Sequence, residues 1–234
     1  MCPLTGIRVL DFSTLLPGPL ATLLLAEAGA EVIKVERPGG EEMRHYVPKW
    51  GNDSINFAML NRGKKSIAVD LKEVTERDKI LKLVTESDVL VEQFRPGVME
   101  RLGLGYETLR RLNPKLIYCT ITGYGQNGPR RDRAGHDLNY IGDSGLLAIS
   151  CGSAGHRVVP PALIGDIAGG AFPAVMNIMF ALRQRESTGE GSYLDIAMAD
   201  NLFTFMYWAI GNGVVADQWP GNGADLVTGG SPST

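Results

Sequence analysis

Along the chain, short apolar runs typical of strands alternate with segments in which apolar residues recur at helical spacing. Residues 7–13 form an apolar, β-branched run that predicts a strand, and residues 17–28 carry leucines at helical spacing. A second strand is predicted at residues 31–36, ended by the turn-forming sequence RPGG. Strands joined through a helix in this way must be parallel, so the chain opens with a βαβ unit.

The same alternation continues to residue 122. Strands are predicted at 66–71, 89–94 and 116–122, and helices at 72–85 and 106–112. This order is typical of a doubly wound, Rossmann-like α/β fold with a mostly parallel sheet.

The second half of the chain changes character. A glycine-rich loop (GYGQNGP) precedes a predicted helix at 137–149, and a long apolar helix begins near Asp166. Its uncharged part, 167–182, is shorter than the ~20 residues of a bilayer span, which predicts a buried helix. A strand at 192–197 and a helix at 201–210 follow. Residues 211–234 are rich in Gly, Pro and Ser, so we expect a large domain over 1–210 and then a linker into an absent small domain.

Composition narrows the functional class. Hydrophobic residues make up 44% and charged residues 21%, as in globular proteins, and 23 basic against 26 acidic residues exclude a nonspecific nucleic-acid coat. Three cysteines without C-x-x-C spacing suggest neither a disulfide framework nor a zinc site. With no export signal at the N-terminus, we expect a reducing, cytoplasmic location.

The first predicted strand-to-helix turn argues against a bound dinucleotide. It has the sequence LPGPL, in which prolines lack the N–H groups that would bind a pyrophosphate. Glu36 ends the second strand, where a ribose-binding acid would lie, but without the glycines we favour a solvated surface charge.

Cations follow the predicted strands. Arg37 and Arg95 come directly after two of these strands, and the sequence NRGKKS contains three further basic residues. Because ligands of such sheets gather at the carboxyl ends of strands, these two arginines could converge on one anionic group, such as a phosphate. The alternative is that each is an ordinary surface charge.

Two side chains are candidates for proton transfer. His136 lies at a predicted helix start, behind a glycine and before an aspartate, whereas His45 and His156 have surface-like surroundings. Asp166 lies at the start of the apolar helix among glycines, where helix cap and catalyst are equally good interpretations. Cys119, in a predicted buried strand, is interpreted as structural.

Eight ordered motifs carry a family resemblance: GIRVLDFS, LPGP, VERPGG, NRGKKSIAVDLK, FRPGV, TGYGQNGP, AGHDLNY and GDIAGG. Together they resemble the family III CoA-transferases, and within them the alpha-methylacyl-CoA racemase branch. The resemblance implies an acyl-CoA enzyme of lipid metabolism that works as an interlocked homodimer. It implies no metal, no tightly bound cofactor, and no nucleic-acid or membrane partner; coenzyme A enters as part of the substrate. Such proteins continue well beyond the point where this chain stops, so we expect a C-terminally truncated chain.

The resemblance also implies site residues. His136 and Asp166 would be the catalytic acid/base pair. Residues implied to line the CoA or thioester site are Arg37, Ala68, Val69, Asp70, Leu71, Arg95, Gly135, Asp137, Leu138, Asn139 and Tyr140. Racemases keep both catalytic residues, whereas transferases keep the aspartate and typically lack the GHDxNY segment. CoA transfer through an Asp166 anhydride and an inactive, truncated relative therefore remain alternatives.

The chemistry of a racemase fits these residue types. Inverting the carbon next to a thioester requires one group on each face, one to remove a proton and one to return it. We expect partial burial, together with the charge of the other group, to hold the pKa of each group near neutral pH. We expect the backbone N–H groups at the helix start of Asp166 to stabilise the enolate oxygen.

Overall fold

Six parallel strands form the main sheet of the computed structural model, which describes residues 2–150 and 156–219. The strands are β1 (Arg8–Asp11), β2 (Glu31–Glu36), β5 (Lys65–Ala68), β6 (Val89–Glu92), β7 (Ile117–Thr122) and β8 (Ser192–Ala197). A small antiparallel hairpin is made by β3 (Lys49–Trp50) and β4 (Asp53–Ser54). The spatial order β5-β2-β1-β6-β7-β8 is the Rossmann order 3-2-1-4-5-6. The predicted fold class is therefore confirmed.

Helices connect these strands, and those at Pro17–Glu27, Val74–Thr85 and Tyr106–Leu112 lie close to the predicted positions, whereas those at Ile55–Asn61 and Val98–Arg101 were not predicted. The helices are α1 (Pro17–Glu27), α2 (Ile55–Asn61), α3 (Val74–Thr85), α4 (Val98–Arg101), α5 (Tyr106–Leu112), α6 (Asp137–Asp143), α7 (Leu146–Ile149), α8 (Phe172–Thr188), α9 (Met198–Asn201) and α10 (Tyr207–Ala216). The predicted helix at 137–149 is two helices, α6 and α7, because the chain turns at Gly145, where φ is +89°. Single 3₁₀ turns occupy Glu42–His45 and Leu202–Met206.

The sheet separates two hydrophobic cores. In β1, Val9 points to one core, shared with α1 and α8, and Leu10 points to the other, shared with α3 and α5. Every residue of β7 is buried. Burial on both faces is what a parallel sheet covered by helices requires.

The long apolar helix has two parts. A π-helix spans Gly165–Ala171 and continues into α8, so a helix does begin near Asp166 as predicted. By length and composition alone, Gly165–Thr188 is one helix that could cross a membrane. One face of α8 packs in the core, but Phe172, Met176 and Phe180 are exposed on the other. The prediction of a buried helix therefore holds for one face only.

The prediction for the end of the chain needs correction. The helix predicted at 201–210 is α9, a 3₁₀ turn and α10, and α10 extends to Ala216. Residues 211–216 are thus helical rather than irregular, and Gly213 in this segment packs closely against Trp219, six residues further along the chain. Residues 220–234 and Cys151 lie outside the described residues, and the division into domains remains a prediction.

Candidate active site

A cavity of about 430 Å³ opens at the carboxyl ends of β1, β6 and β7. Strand order reverses between β1 and β6, and ligands of open α/β sheets bind at such switch points. The lining residues are Leu15, Pro17, Gln93, Phe94, Arg95, Pro96, Ile121, Thr122, Gly123, Arg131, Asp132, Arg133, Ala134, Gly135, His136, Asn139, Tyr140, Asp166 and Met198.

His136 and Asp166, the two predicted proton carriers, line this same cavity. His136 is exposed and directly precedes α6. The backbone N–H of His136 donates to Asn139 Oδ1 at 2.9 Å, and the backbone carbonyl of His136 accepts from the backbone N–H of Asn139 at 2.8 Å. This reciprocal pair fixes the backbone from which the imidazole extends.

Asp166 is half-buried inside the π-helix, one residue after its start. Its N–H donates to Oδ1 of Asp137 at 3.0 Å. A Cβ atom on Gly165 would lie 3.1 Å from that oxygen, so the glycine permits the close approach of α6. Burial, and then the negative charge of Asp137, raise the pKa of the Asp166 carboxyl to about 6, while His136 acts in the opposite direction.

These contacts correct two expectations about Asp166. The amide of Asp166 is occupied by Asp137 and is not free to stabilise an enolate oxygen. The helix-cap interpretation is also wrong, because among the described residues the Asp166 carboxylate accepts no hydrogen bond from a backbone N–H. Asp166 lines the cavity instead.

Tyr140 shapes the wall of the cavity beside Asp166. Its hydroxyl donates to the carbonyl of Gly135 at 2.6 Å. A Cβ atom on Gly123 or Gly135 would lie within 2.8 Å of the tyrosine ring, so both positions require glycine. Burial, and then the charge of Asp166, raise the pKa of Tyr140 to about 12, which keeps it a neutral donor.

Other predicted residues of this segment are placed differently. Asn139 lines the cavity, Asp137 is buried behind it, and the side chain of Leu138 is exposed outside the lining. The sequence AGHDLNY therefore supplies both the histidine and the acid that positions Asp166.

Of the two predicted phosphate-binding arginines, only Arg95 lines the cavity. Among the described residues its guanidinium has no acidic partner within 4.0 Å. Arg37 is exposed after β2, where its Nε donates to the carbonyl of Gly40 at 3.1 Å. The structure does not bring Arg37 into this cavity, because β1 separates β2 from β6.

The predicted segment at the end of β5 also lies outside the cavity lining. Ala68 is exposed and ends the edge strand, and Val69 is buried with its N–H donated to the carbonyl of Glu36 at 2.8 Å. Asp70 accepts the N–H of Lys72 at 3.0 Å, and Leu71 packs against the second core. A CoA contact by these residues remains a prediction.

Sequence reasoning missed several residues of the cavity. Gln93 Oε1 accepts the N–H of Gly18 at 3.0 Å, at the helix start where a dinucleotide fold would hold a pyrophosphate. Leu15 has a positive φ of 61°, which is strained for a leucine. Arg131 and Arg133 follow the glycine-rich loop. For Gln93 and Leu15 the available signal was position, since they lie at or just after the end of a predicted strand. For Arg131 and Arg133 it was their place after the glycine-rich loop.

The interpretation of Glu36 as a solvated charge is wrong. Its carboxylate is buried and accepts from Nε and Nη2 of Arg44 at 2.7 and 2.6 Å, and from the hydroxyl of Ser66. Burial raises its pKa, but the hydrogen bonds from Arg44, Ser66 and the Glu41 amide outweigh burial and lower the pKa to about 2. A carboxylate held in this way is structural.

The remaining candidates behave as predicted. His45 and His156 are exposed and do not line the cavity. Cys119 is fully buried in β7, and burial raises the pKa of its thiol, which makes it unreactive.

Comparison with known proteins shows what the chain is similar to. A family model described as CoA-transferase family III matches residues 4–231. The chain is 45% identical over 197 residues to Succinyl-CoA:glutarate CoA-transferase of Mus musculus, over 83% of this chain and 45% of that protein. It is 40% identical over 197 residues to Alpha-methylacyl-CoA racemase of Homo sapiens, over 84% of this chain and 48% of that protein.

A solved structure agrees with these matches. A CAIB/BAIF family protein from Brucella suis superposes with a TM-score of 0.89 at 33% identity, over 94% of this chain and 59% of that one. The chain thus spans about half the length of the curated relatives that it matches.

Proposed function

The chain belongs to CoA-transferase family III, and from this membership and the geometry of its cavity we propose that it is an acyl-CoA racemase. The proposed reaction inverts the carbon next to the carbonyl of a 2-methylacyl-CoA thioester. One observation carries the proposal: an imidazole, His136, and a carboxyl group, Asp166, line a single cavity at the sheet's switch point.

Two proton carriers are what inversion needs. A single base would tend to return the proton to the face from which it came. In one direction neutral His136 accepts the proton and protonated Asp166 donates one to the opposite face, and in the other direction the roles exchange. Each turnover breaks one C–H bond and forms another, so no oxidant, metal or resident cofactor is required.

The surroundings of Asp166 suit this task. With a pKa of about 6, a substantial fraction of the carboxyl groups is protonated just below neutral pH, whereas an ordinary aspartate is almost entirely ionised. Burial and the Asp137 charge therefore bring the group close to the operating pH, where acid/base catalysis is most efficient.

Arg95 supports the binding of a CoA thioester. It is a cation at the cavity without an acidic partner among the described residues, and a phosphate of CoA would supply one. The residues at the ends of β2 and β5, Arg37 and 68–71, lie along the same edge of the sheet and would extend the CoA site.

We also propose that the protein is a homodimer in the cytoplasm. The support for the dimer is the exposed apolar stripe of Phe172, Met176 and Phe180 on α8, since apolar stripes of this kind mark interaction surfaces. The free, exposed Cys2 and buried Cys119 are compatible with a reducing compartment.

CoA transfer is the second candidate. The similarity to Succinyl-CoA:glutarate CoA-transferase favours it, since the name of that protein describes such a reaction. In this reaction the Asp166 carboxylate would attack the thioester carbonyl, releasing CoA thiolate and forming a mixed anhydride. The thiolate would then attack the aspartyl carbonyl, forming an aspartyl-CoA thioester and releasing the donor acid as its carboxylate. An acceptor carboxylate would take CoA by the same steps in reverse, which regenerates Asp166, and His136 would be a bystander.

Incubation with a 2-methylacyl-CoA in deuterated water separates these reactions. The racemase proposal predicts deuterium at the α-carbon, lost in both His136→Ala and Asp166→Ala, while His45→Ala serves as the matched control. No α-deuterium together with CoA exchange onto a free carboxylic acid would establish transfer instead. Binding of CoA by calorimetry without either reaction would identify an inactive relative.

A further inference from the structure

The helical turn that carries Asp166 has an unusual hydrogen-bond pattern. The N–H of Phe172 donates to the carbonyl of Ile167, five residues back, where an α-helix would use the residue four back. Such π turns within α-helices are rare and frequently lie at functional sites.

Pro173 explains why the α-helical pattern fails at this point. In an α-helix, the carbonyl of Gly169 would accept the N–H of residue 173, but proline has none and its ring presses against that carbonyl. Instead, the Gly169 carbonyl accepts a 2.8 Å hydrogen bond from Nδ2 of Asn201, on α9. A side chain from another element thus replaces the donor that the helix lacks.

The π-helix is also packed tightly against its neighbours. A Cβ atom on Gly169 would lie 2.5 Å from the carbonyl oxygen of Met198, the first residue of α9. On Gly170 it would lie 3.0 Å from both Met198 Sδ and Pro17 Cβ. The turn is therefore held between the start of α9 and the start of α1.

We propose that Asn201 is a positioning residue for Asp166, because its amide holds the π turn in the wide form that directs the Asp166 carboxyl into the cavity. A π turn holds one residue more than an α turn, and one residue corresponds to a rotation of about 100° around the helix. Relaxation towards an α turn rotates Asp166 away from His136. The proposal rests on the use of Asp166 in the proposed reaction.

Asn201→Leu tests the proposal, because leucine keeps the branched shape and removes the donor. The matched control is Asn177→Leu: Asn177 Nδ2 donates to the carbonyl of Pro173, also at 2.8 Å, but in the regular part of the same helix. Asn201→Leu should lower kcat by about 10- to 100-fold with little change in KM, since a misplacement of about 1 Å can cost 10²-fold. Asn177→Leu should leave kcat unchanged.

A second variant keeps the test informative if Asn201→Leu does not fold. In Asn201→Leu/Pro173→Ala, the new N–H at position 173 can donate to the Gly169 carbonyl within the helix, so that carbonyl keeps a hydrogen-bond partner. The segment can then adopt a regular α turn in place of the π turn. This double variant should fold as stably as the wild type and still show the loss of kcat.

Titration of Asp166 by carbon NMR gives a readout that needs no substrate. In both Asn201 variants the pKa of Asp166 should fall towards its ordinary value, because the carboxyl leaves its half-buried position beside Asp137; Asn177→Leu should titrate like the wild type. Unchanged titration in the Asn201 variants, or equal losses in Asn177→Leu, overturns the proposal. If Asp166→Asn retains α-proton exchange, the proposed function fails, but the titration still decides whether Asn201 positions Asp166.

Discussion

Oδ1 of Asp137 accepts the backbone N–H of Asp166 at 3.0 Å, which places a second carboxylate directly behind the proposed acid. After burial, the charge of Asp137 is the largest cause of the raised pKa of Asp166. Asp137, the residue that follows His136 in the sequence, therefore raises the pKa of Asp166, which lines the same cavity as His136.

Asp137→Asn should lower the pKa of Asp166 below about 6, because the amide keeps the acceptor oxygen and removes the charge. Carbon NMR titration measures the shift. In the direction where Asp166 removes the proton, the acidic limb of the pH–rate profile should move to lower pH with it. Asp132→Asn is the control, since Asp132 lines the same cavity and is not among the causes of the Asp166 shift. Equal shifts in both variants would contradict a specific effect of Asp137.

Arg95→Ala should weaken the binding of CoA at low salt and have less effect at high salt, because screening weakens contacts between exposed charges. Isothermal titration calorimetry at two ionic strengths measures this difference. Arg110→Ala is a matched control, since Arg110 is an exposed arginine on α5 outside the cavity lining. Arg37→Ala measured in parallel tests the predicted contact beyond β2. A loss of CoA affinity in Arg37→Ala alone would place the CoA phosphates at the end of β2 and not beside Arg95.

Glu92 should make the fold less stable as the pH rises. Burial first, and then the charges of Glu100 and Asp195, raise its pKa from 4.5 to about 7 against the hydrogen bonds from Phe94 and Thr120. The folded state thus holds a proton that the unfolded state releases, and stability is lost progressively between about pH 4.5 and 7.

Glu92→Gln removes this loss, because a neutral amide can still accept the Phe94 N–H. Urea unfolding between pH 5 and 8 should show a decrease in the wild type that exceeds the decrease in Glu92→Gln by at most about 3 kcal/mol. Glu107→Gln, the same change at an exposed position on α5, should follow the wild type. A wild-type pH dependence in Glu92→Gln would show that other groups cause it.

Neighbouring lysines should differ sharply in their contribution to stability. Lys64 Nζ is buried 3.0 Å from Asp11 Oδ2 and also bonds Thr22, whereas Lys65 is exposed beside Glu31. Lys64→Met leaves a buried aspartate without its cation, so it should lower the free energy of unfolding by about 3 to 5 kcal/mol. Lys65→Met should change it little, since exposed ion pairs contribute little. Chemical denaturation of both variants measures the difference, and similar values would contradict the role of the Asp11–Lys64 pair.

Local pattern was sufficient for the six strands of the main sheet and the longer helices between them, but it did not predict the hairpin of β3 and β4 or the short helices α2 and α4. The spacing of apolar residues predicts β2 and α5 at their observed bounds, because burial on one face imposes a period that is visible in the sequence. Parallel pairing followed from the helices between the strands. The motifs GHDLNY and GDIAGG indicated His136 and Asp166, which the fold brings to one cavity.

Only the tertiary structure decided what each polar group contacts. The sequence shows Glu36 and Lys64 as charges next to loops, but both side chains are buried because partners outside their own elements, Arg44 and Asp11, satisfy them. Likewise, Pro173 indicates that a helix donor is missing, but not that Asn201, 32 residues from Gly169, supplies the hydrogen bond to the Gly169 carbonyl. Periodicity records which face of an element is buried, whereas hydrogen-bond partners and pKa values depend on distances between elements, which a local pattern does not contain.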